Sequence, residues 1–541
     1  MDSFFDARRR QFFTTLALGS AASLARTASA QGPATLAPMD QRMERAQAVR
    51  SRLADYYRNL PPVEHPVNGD EDLYPNKINS FSKTLLHRPN GEVDPTAYRS
   101  LRRAVESGRN EDFELIVRGG NVRLKNPTGA YNFQLAGADP SQYTMPAAPK
   151  FDSAQQAGEM VELYWQALAR DIPFSEYESN TLIASACQDL SRMRDFRGPK
   201  ENGRVTPKTV FRGPTPGDLA GPYVSQFLVK PFLMGGVAVE QKIPAFAPQL
   251  DFMLTFTDWF GIQIGEGKGP GNRRQDVFRY MRNGRDLATF VHDDWSFSPY
   301  YHALWILLNL GADAFSADNP YLYSKGQEPY INFGPPDGFE YVSRSAKPAF
   351  NAAWFQKWFV HHRARPEAFA ARVFQTATRN EAYPIHSDVL ESQGLENVFR
   401  KWGTYLLPQA YSEGCPAHSA YPSGHATVAG ACVTMLKAFF REDFVLPDPV
   451  TPSADGLRLE KYTGAPLTVG GELNKMAFNI AMGRNFAGIH WRTDAVEGLK
   501  LGEQVAINVL RDLRATYLDD FGGLSFTRFN GEKIVITSPI A

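Results

Sequence analysis

Residues 415–426 read Cys-Pro-Ala-His-Ser-Ala-Tyr-Pro-Ser-Gly-His-Ala. The turn Pro422-Ser423-Gly424-His425 feeds a proline-free apolar run, Ala426–Phe440, in which Val428, Ala431, Cys432 and Met435 recur at helical spacing. The pattern predicts a helix that starts at this turn. A helix start presents unpaired backbone N–H groups and the positive end of a dipole, which suits an oxyanion. Ser423 adds a hydroxyl, Gly424 allows close backbone approach, and His425 can move a proton near neutral pH. Taken alone, such a turn is more often a plain helix cap than a site.

Two further stretches supply what that turn lacks. Residues 354–367 read Trp-Phe-Gln-Lys-Trp-Phe-Val-His-His-Arg-Ala-Arg-Pro-Glu, and residues 483–494 read Gly-Arg-Asn-Phe-Ala-Gly-Ile-His-Trp-Arg-Thr-Asp. Lys357 and Arg365 are eight positions apart, slightly over two helical turns, and are expected on one helix face. Arg484 and His490 bracket Gly488, an expected bend. Asp494 lies four positions beyond His490, so its carboxylate is expected to orient the imidazole. Together the three stretches hold the cations, hydroxyl, N–H and imidazoles needed to cradle a tetrahedral or trigonal-bipyramidal oxyanion.

This three-part pattern resembles the vanadium-dependent haloperoxidases and the related acid phosphatases, which share Lys-x7-Arg-Pro, Pro-Ser-Gly-His and Ser/Gly-Arg-x5-His-x3-Asp. The segments around Lys357, the run from Cys415, and the stretches 212–227 and 282–292 look like the algal-type bromoperoxidase branch. The resemblance covers roughly residues 50–515. It implies that His490 binds vanadate through an imidazole nitrogen and that Lys357, Arg365 and Arg484 neutralise its oxygens. Ser423 Oγ and the Gly424 N–H complete the cradle. His425 acts as acid and base on hydrogen peroxide, and Lys357 polarises the bound oxidant. His418 stands where the bromoperoxidase branch has histidine and the fungal chloroperoxidases have an aromatic. Trp354 is expected in the wall, Asp494 behind His490, and Asp294 paired with the site arginines. The implied reaction is oxidation of bromide or iodide by hydrogen peroxide to hypohalous acid, which halogenates small organic acceptors. An exported acid phosphatase, with His490 as nucleophile and His425 as acid, uses the same residues. A non-enzymatic oxyanion-binding protein is the third reading, and it would be favoured by a missing charge or proton-transfer group.

The rest of the chain is consistent with an exported helical protein. Of 541 residues, 43% are hydrophobic and 21% charged, and the net charge is zero, so nothing favours nucleic acid or an anionic membrane as partner. Arg8-Arg9-Arg10-Gln11-Phe12-Phe13, an apolar stretch from Leu16 to Ala25, and Ala28-Ser29-Ala30 read as a twin-arginine signal, predicting export to the periplasm or beyond. No other run approaches the ~18–20 apolar residues of a membrane span. The three cysteines, Cys187, Cys415 and Cys432, include no Cys-x2-Cys pair, which disfavours zinc, and their odd number leaves a free thiol.

Helices are predicted over 36–58, Ser153–Arg170, Ser175–Arg194, Gln275–Arg282, Ser298–Leu310, Lys347–Arg363, Pro366–Thr378, Ala426–Phe440, Leu473–Asn485 and Thr493–Tyr517. Hairpins are predicted at 113–125, around Gly119-Gly120-Asn121, and at 525–537, around Asn530-Gly531. Phe315–Gly338 reads as a long loop. The expected fold class is all-α with small peripheral β-hairpins, and the resemblance sharpens it to two packed four-helix bundles. The expected division is a signal peptide over 1–30, an N-terminal helical part over 31–280, the vanadate-binding bundle over 281–520 and a C-terminal hairpin over 521–541. Relatives in the resembled family suggest a homodimer or larger assembly. Asp313, Asp318 and Glu328 are the acids a structural calcium would use, although no ligand spacing supports it. Of the ten histidines, His65, His87, His302 and His386 are expected to be ordinary, and His361 and His362 structural within the Lys357–Arg365 helix. Arg492 is expected to be a solvated surface charge.

Overall fold

A computed structural model describes residues 38–538 except Lys268, Ser296, Asn380 and Leu518; the signal-peptide expectation lies outside the described residues. The chain divides into two compact units, residues 1–52 and 53–541. The described part of the first is the start of helix α1 (Pro38–Arg58). The longer helices of the second are α2 (Pro95–Ser107), α3 (Ala154–Ala169), α4 (Thr181–Arg192), α5 (Phe256–Ile264), α6 (Gly284–Asp293), α7 (Ser298–Asn309) and α8 (Pro335–Phe355). They continue with α9 (Pro366–Arg379), α10 (Gln393–Trp402), α11 (Gly424–Phe439), α12 (Val469–Phe486) and α13 (Arg492–Thr516).

Helix α11 is the centre of the site-bearing bundle. Every one of its residues except His425 is buried, as a helix with apolar residues on every side must be, and the buried Lys437 is paired with Asn474 Oδ1 and the Thr527 carbonyl. It packs against α8, α12 and α13, and α6 lies along α12. Glycines set how closely α11 and α13 approach. A Cβ at Gly430 would sit 2.1 Å from the Leu499 carbonyl oxygen, and one at Gly502 would sit 2.0 Å from that of Thr427. A Cβ at Gly498 would come within 3.0 Å of the Ser423 carbonyl oxygen. The starts of α11 and α13 are therefore held side by side. A second helical group surrounds α3, formed by α4, α10 and the one-turn helix Ser387–Leu390.

Strands are few and paired in twos, all antiparallel: Phe232–Met234 with Val237–Val239, Ile243–Phe246 with Arg274–Arg279, Val450–Pro452 with Leu459–Lys461, and Leu524–Thr527 with Lys533–Ile536. The last is the expected C-terminal hairpin, closed by Arg528 N donating to the Glu532 carbonyl.

Several expectations fail for physical reasons. Residues 113–125 are not a hairpin: Gly119 and Val122 donate to the carbonyls of Thr84 and Gly265, and a Cβ at Gly120 would overlap the Gly265 carbonyl oxygen at 2.0 Å. Those glycines admit a crossing segment rather than a turn. Residues 274–279 form a strand, because they pair with 243–246. Helix α8 starts a dozen residues early, at Pro335, and runs through Pro348. The loop expected over Phe315–Gly338 is accordingly shorter, with a 3-10 turn at Pro320–Tyr323. Helix α4 is confined to Thr181–Arg192, capped by Asn180. Arg492 is buried and paired with Glu162, 2.8 Å from Nε to Oε2, so it is no solvated charge. Asp318 accepts from Ser525 N and Oγ at 2.8 and 2.6 Å, and the described residues hold no cluster of three or more His, Cys, Asp or Glu side chains able to take a metal ion. Among the described residues, then, nothing supports the possible calcium. No described helix is long and apolar enough to cross a membrane.

Candidate active site

The first contributor is the end of α8. Lys357 does not share a helix face with Arg365. The helix widens into a π turn over Gln356–His361, and His362 (φ 40°) reverses the chain before α9 begins at Pro366. His361 and His362 accordingly lie outside any helix through Arg365; His362 Nδ1 meets Glu71 at 2.7 Å, and the His361 ring lies against Tyr421. Lys357 and Arg365 still converge, carried by the turn. Lys357 is fully buried and donates to the carbonyls of Ser419 and Ala420 at 2.7 and 2.9 Å. Burial, with Arg365 and Arg484 nearby, pushes its ammonium well below the usual lysine range.

Arg365 spans the site. Its Nε donates to the His418 carbonyl at 2.9 Å, Nη1 to the Ile489 carbonyl at 2.8 Å, and Nη2 faces His418 Nδ1 at 3.0 Å. Nη1 also lies 2.9 Å from His490 Nε2. Burial lowers the Arg365 guanidinium to about 10. Arg484, at the end of α12, donates to the Val291 carbonyl at 2.8 Å and lies over the Tyr411 ring, while its buried Nε has no hydrogen-bond partner.

Gly488 (φ 84°) provides the expected bend, and its Cβ position is closed by the Gln409 amide. The bend delivers His490 to the start of α13. There Asp494 Oδ2 accepts from the Trp491 N–H at 3.0 Å and from His490 Nδ1 at 2.8 Å. The imidazole thus carries its proton on Nδ1 and turns the Nε2 lone pair towards Arg365. Burial and the cations Arg365, Lys357 and Arg484 hold it neutral, well below its ordinary pKa. His418 is held neutral by burial and the same cations, and Trp354 lies 4.9 Å from it, ring to ring.

At the start of α11, Ser423 Oγ caps the helix by accepting from Ala426 N at 3.4 Å. A Cβ at Gly424 would meet Phe350 and Trp354 only at 3.5 Å, so packing alone does not demand glycine there. His425, the one partly exposed residue of α11, meets Asp294 Oδ1 at 3.0 Å through Nε2. Asp294 therefore serves His425 and not the site arginines, because α6 ends beside the α11 start. Cys415 is a buried free thiol beside Ile489, and burial raises it well above the usual thiol range.

Sequence reasoning missed two supports. Arg363 is 1% exposed and bonds Asp494 at 2.9 Å, Gln156 at 2.6 Å and Glu159 at 3.2 Å. The Arg363-x-Arg365 spacing inside the second motif was the available signal. His292 bridges Glu413 at 2.7 Å and Asp293 at 2.9 Å, next to Asp294, and its place at the end of the 282–292 stretch was the available signal.

The donor set fits a small multiply charged oxyanion: Lys357, Arg365 and Arg484 gather in one buried place, the Arg484 Nε is unpartnered, and the carboxylate behind His490 is already shared with Arg363. Helical bundles with this arrangement form the vanadium haloperoxidase class. Residues 339–518 match the model of the VCPO second helical-bundle domain. The homohexameric second vanadate-dependent bromoperoxidase of Ascophyllum nodosum has the same fold, with a TM-score of 0.87 at 27% identity over 96% of each chain. A vanadium-dependent bromoperoxidase of Ascophyllum nodosum is 35% identical over 90% of this chain and 91% of its own length. One from Corallina pilulifera is 32% identical over 92% of this chain and its full length. The chain belongs to the vanadium-dependent bromoperoxidase family.

Proposed function

We propose that this protein oxidises bromide or iodide with hydrogen peroxide to hypohalous acid, which halogenates organic compounds. The observation that carries the reading is the neutral, buried His490, whose Nε2 lies 2.9 Å from Arg365 Nη1, with the charges of Lys357 and Arg484 acting on it as well. His490 Nε2 would hold the metal, and the three cations, Ser423 Oγ and the Gly424 N–H would hold the oxygens. Vanadate, when bound, supplies the activation of hydrogen peroxide.

The chain's own residues do the rest. His425, oriented by Asp294, takes and returns the peroxide proton. Lys357, fixed by two carbonyls, would offer its third ammonium N–H to the oxidant. His418, held against Arg365, is the feature that favours bromide or iodide over chloride. The buried cations act as preorganised charge in a site largely closed to water.

The residues with assigned roles fall between Asp294 and Asp494, which supports a vanadate-binding bundle over 281–520 preceded by an N-terminal helical part over 31–280. The homohexameric Ascophyllum neighbour supports assembly of this chain as a homodimer or larger. The twin-arginine pattern at Arg8-Arg9-Arg10 supports export from a bacterial cytoplasm.

The test is bromination of a phenol-type dye by purified protein with hydrogen peroxide and bromide, before and after orthovanadate, with iodide, chloride and a phosphate ester alongside. Activity that appears with vanadate and is suppressed by excess phosphate is expected. Absence of halogenation at saturating vanadate, with vanadate-inhibited hydrolysis of the phosphate ester, would establish the phosphatase reading instead.

A further inference from the structure

Against the site lies a cavity of about 370 Å³ lined by Lys125, Asn126, Lys347, Phe350, Asn351 and Trp354. Its volume is in the range that takes one small organic molecule, about 300–1,000 Å³. Trp354 is the partition between cavity and site. Its ring stands 4.9 Å from the His418 ring, and its far edge would be 3.5 Å from a Cβ at Gly424. The indole is pinned, with Nε1 donating to the carbonyls of Lys125 and Asn126 at 3.2 and 3.0 Å. The opposite wall is tied to the site as well, because Lys125 N donates to the Ala417 carbonyl at 3.0 Å, one residue from His418.

The lining states what would fit. Trp354 and Phe350 meet edge to face, 5.9 Å apart at 83°, and present apolar surface to a flat ring. Two ammoniums, Lys125 and Lys347, line the cavity and no carboxylate does. Lys347 Nζ is steadied by Asn351 Oδ1 at 2.9 Å. Aromatic walls beside unopposed cations select a small anionic aromatic.

We propose that this cavity is the binding site of the organic acceptor, a small anionic phenol of the hydroxybenzoate type, which is halogenated while bound a ring's width from the place where hypohalous acid forms. The proposal rests on the haloperoxidase reading. The ring carbon ortho to the phenolic oxygen attacks bromine of hypobromous acid. The C–Br bond forms as the O–Br bond breaks, and the ring proton leaves with the hydroxide as water.

The experiment has two arms. In the first, 4-hydroxybenzoate and its neutral counterpart 4-hydroxybenzyl alcohol are titrated calorimetrically into the full chain with saturating vanadate and no peroxide. Saturable binding of the anion is expected, weakened about tenfold or more by Lys125→Gln/Lys347→Gln, restored by Lys125→Arg/Lys347→Arg, and without parallel for the alcohol. In the second, both phenols compete for bromination. The wild type is expected to favour the anion relative to reagent hypobromous acid, and the glutamine variant to return to the reagent ratio while forming tribromide at the wild-type rate when no organic acceptor is present. Anion affinity unchanged in the glutamine variant, or a wild-type product ratio equal to that of the reagent, would overturn the proposal. Failure of the wild type to form tribromide would instead remove the haloperoxidase reading, and the titration would still decide whether the cavity takes the anion.

Discussion

Asp494 Oδ2 lies 2.8 Å from His490 Nδ1, while its other oxygen lies 2.9 Å from Arg363 Nη1. One carboxylate thus fixes the tautomer of the imidazole and is itself fixed by a buried guanidinium. Removing such a partner behind a metal-binding histidine typically costs about 10–100-fold in affinity. Asp494→Asn is therefore expected to weaken orthovanadate binding by about that factor, read by equilibrium dialysis with phosphate as competitor. Wild-type affinity in the variant would mean that the backbone bend at Gly488 alone aims His490.

His425 and Asp294 form a separate pair, 3.0 Å apart, at the meeting of α11 and the end of α6. A positioned acid–base group contributes about 10²–10⁴-fold, and its orienting partner less. Asp294→Asn is expected to lower kcat for bromide oxidation by about tenfold or more while leaving orthovanadate affinity in place. Equal losses in affinity and kcat would place Asp294 in the oxyanion cradle rather than behind His425.

The split between these two aspartates marks how far sequence reading reaches. Asp494 was legible because it lies four residues from His490 and the start of one helix brings them together. Asp294 is 131 positions from His425, and only the packing of α6 against α12 decides its partner. The same contrast holds for the fold. Helix α11 announces itself through a proline-free, mostly apolar run, whereas the π turn at 356–361 and the reversal at His362 leave Lys357 and Arg365 at the spacing of a continuous helix. Strand 274–279 owes its conformation to a partner thirty residues earlier. Arg492 looked solvated because nothing nearby in sequence predicts Glu162.

His292 gives a pH-dependent expectation. Burial opposes its charge, but hydrogen bonds and charge from Asp293 and Glu413 win and raise it to about 9. A folded-state value above the unfolded one stabilises the fold fully below the unfolded pKa of about 6.5 and loses that stabilisation as pH rises through about 9. His292→Gln is expected to be less stable than wild type by about 1 kcal/mol near pH 6, after discounting for solvent screening, and to converge with it by about pH 10. Urea unfolding across that range reads the difference. A gap that stays constant with pH would show that His292 acts by shape and not by charge.

Closest approach of α11 and α13 is set at Gly502, where a Cβ would lie 2.0 Å from the Thr427 carbonyl oxygen and 2.6 Å from Ala431 N. Both are backbone atoms in buried helices and cannot rotate away. Gly502→Ala must push the helices apart, and overpacking of this kind costs about 1–3 kcal/mol or more. Helix α11 begins with Ser423 and His425, and α13 begins just after His490 and carries Asp494. Spreading the two helices would separate the proposed oxyanion cradle from the imidazole proposed to hold the metal. Gly502→Ala is expected to lose about 3 kcal/mol in urea unfolding and to bind orthovanadate more weakly in the fraction that remains folded. Gly236→Ala is the control: a Cβ there meets nothing within 4 Å, so both quantities should stay at wild-type values. Loss of stability in Gly502→Ala with vanadate affinity intact would show that the cradle is held by α8 and the 415–422 stretch, independently of the spacing between α11 and α13.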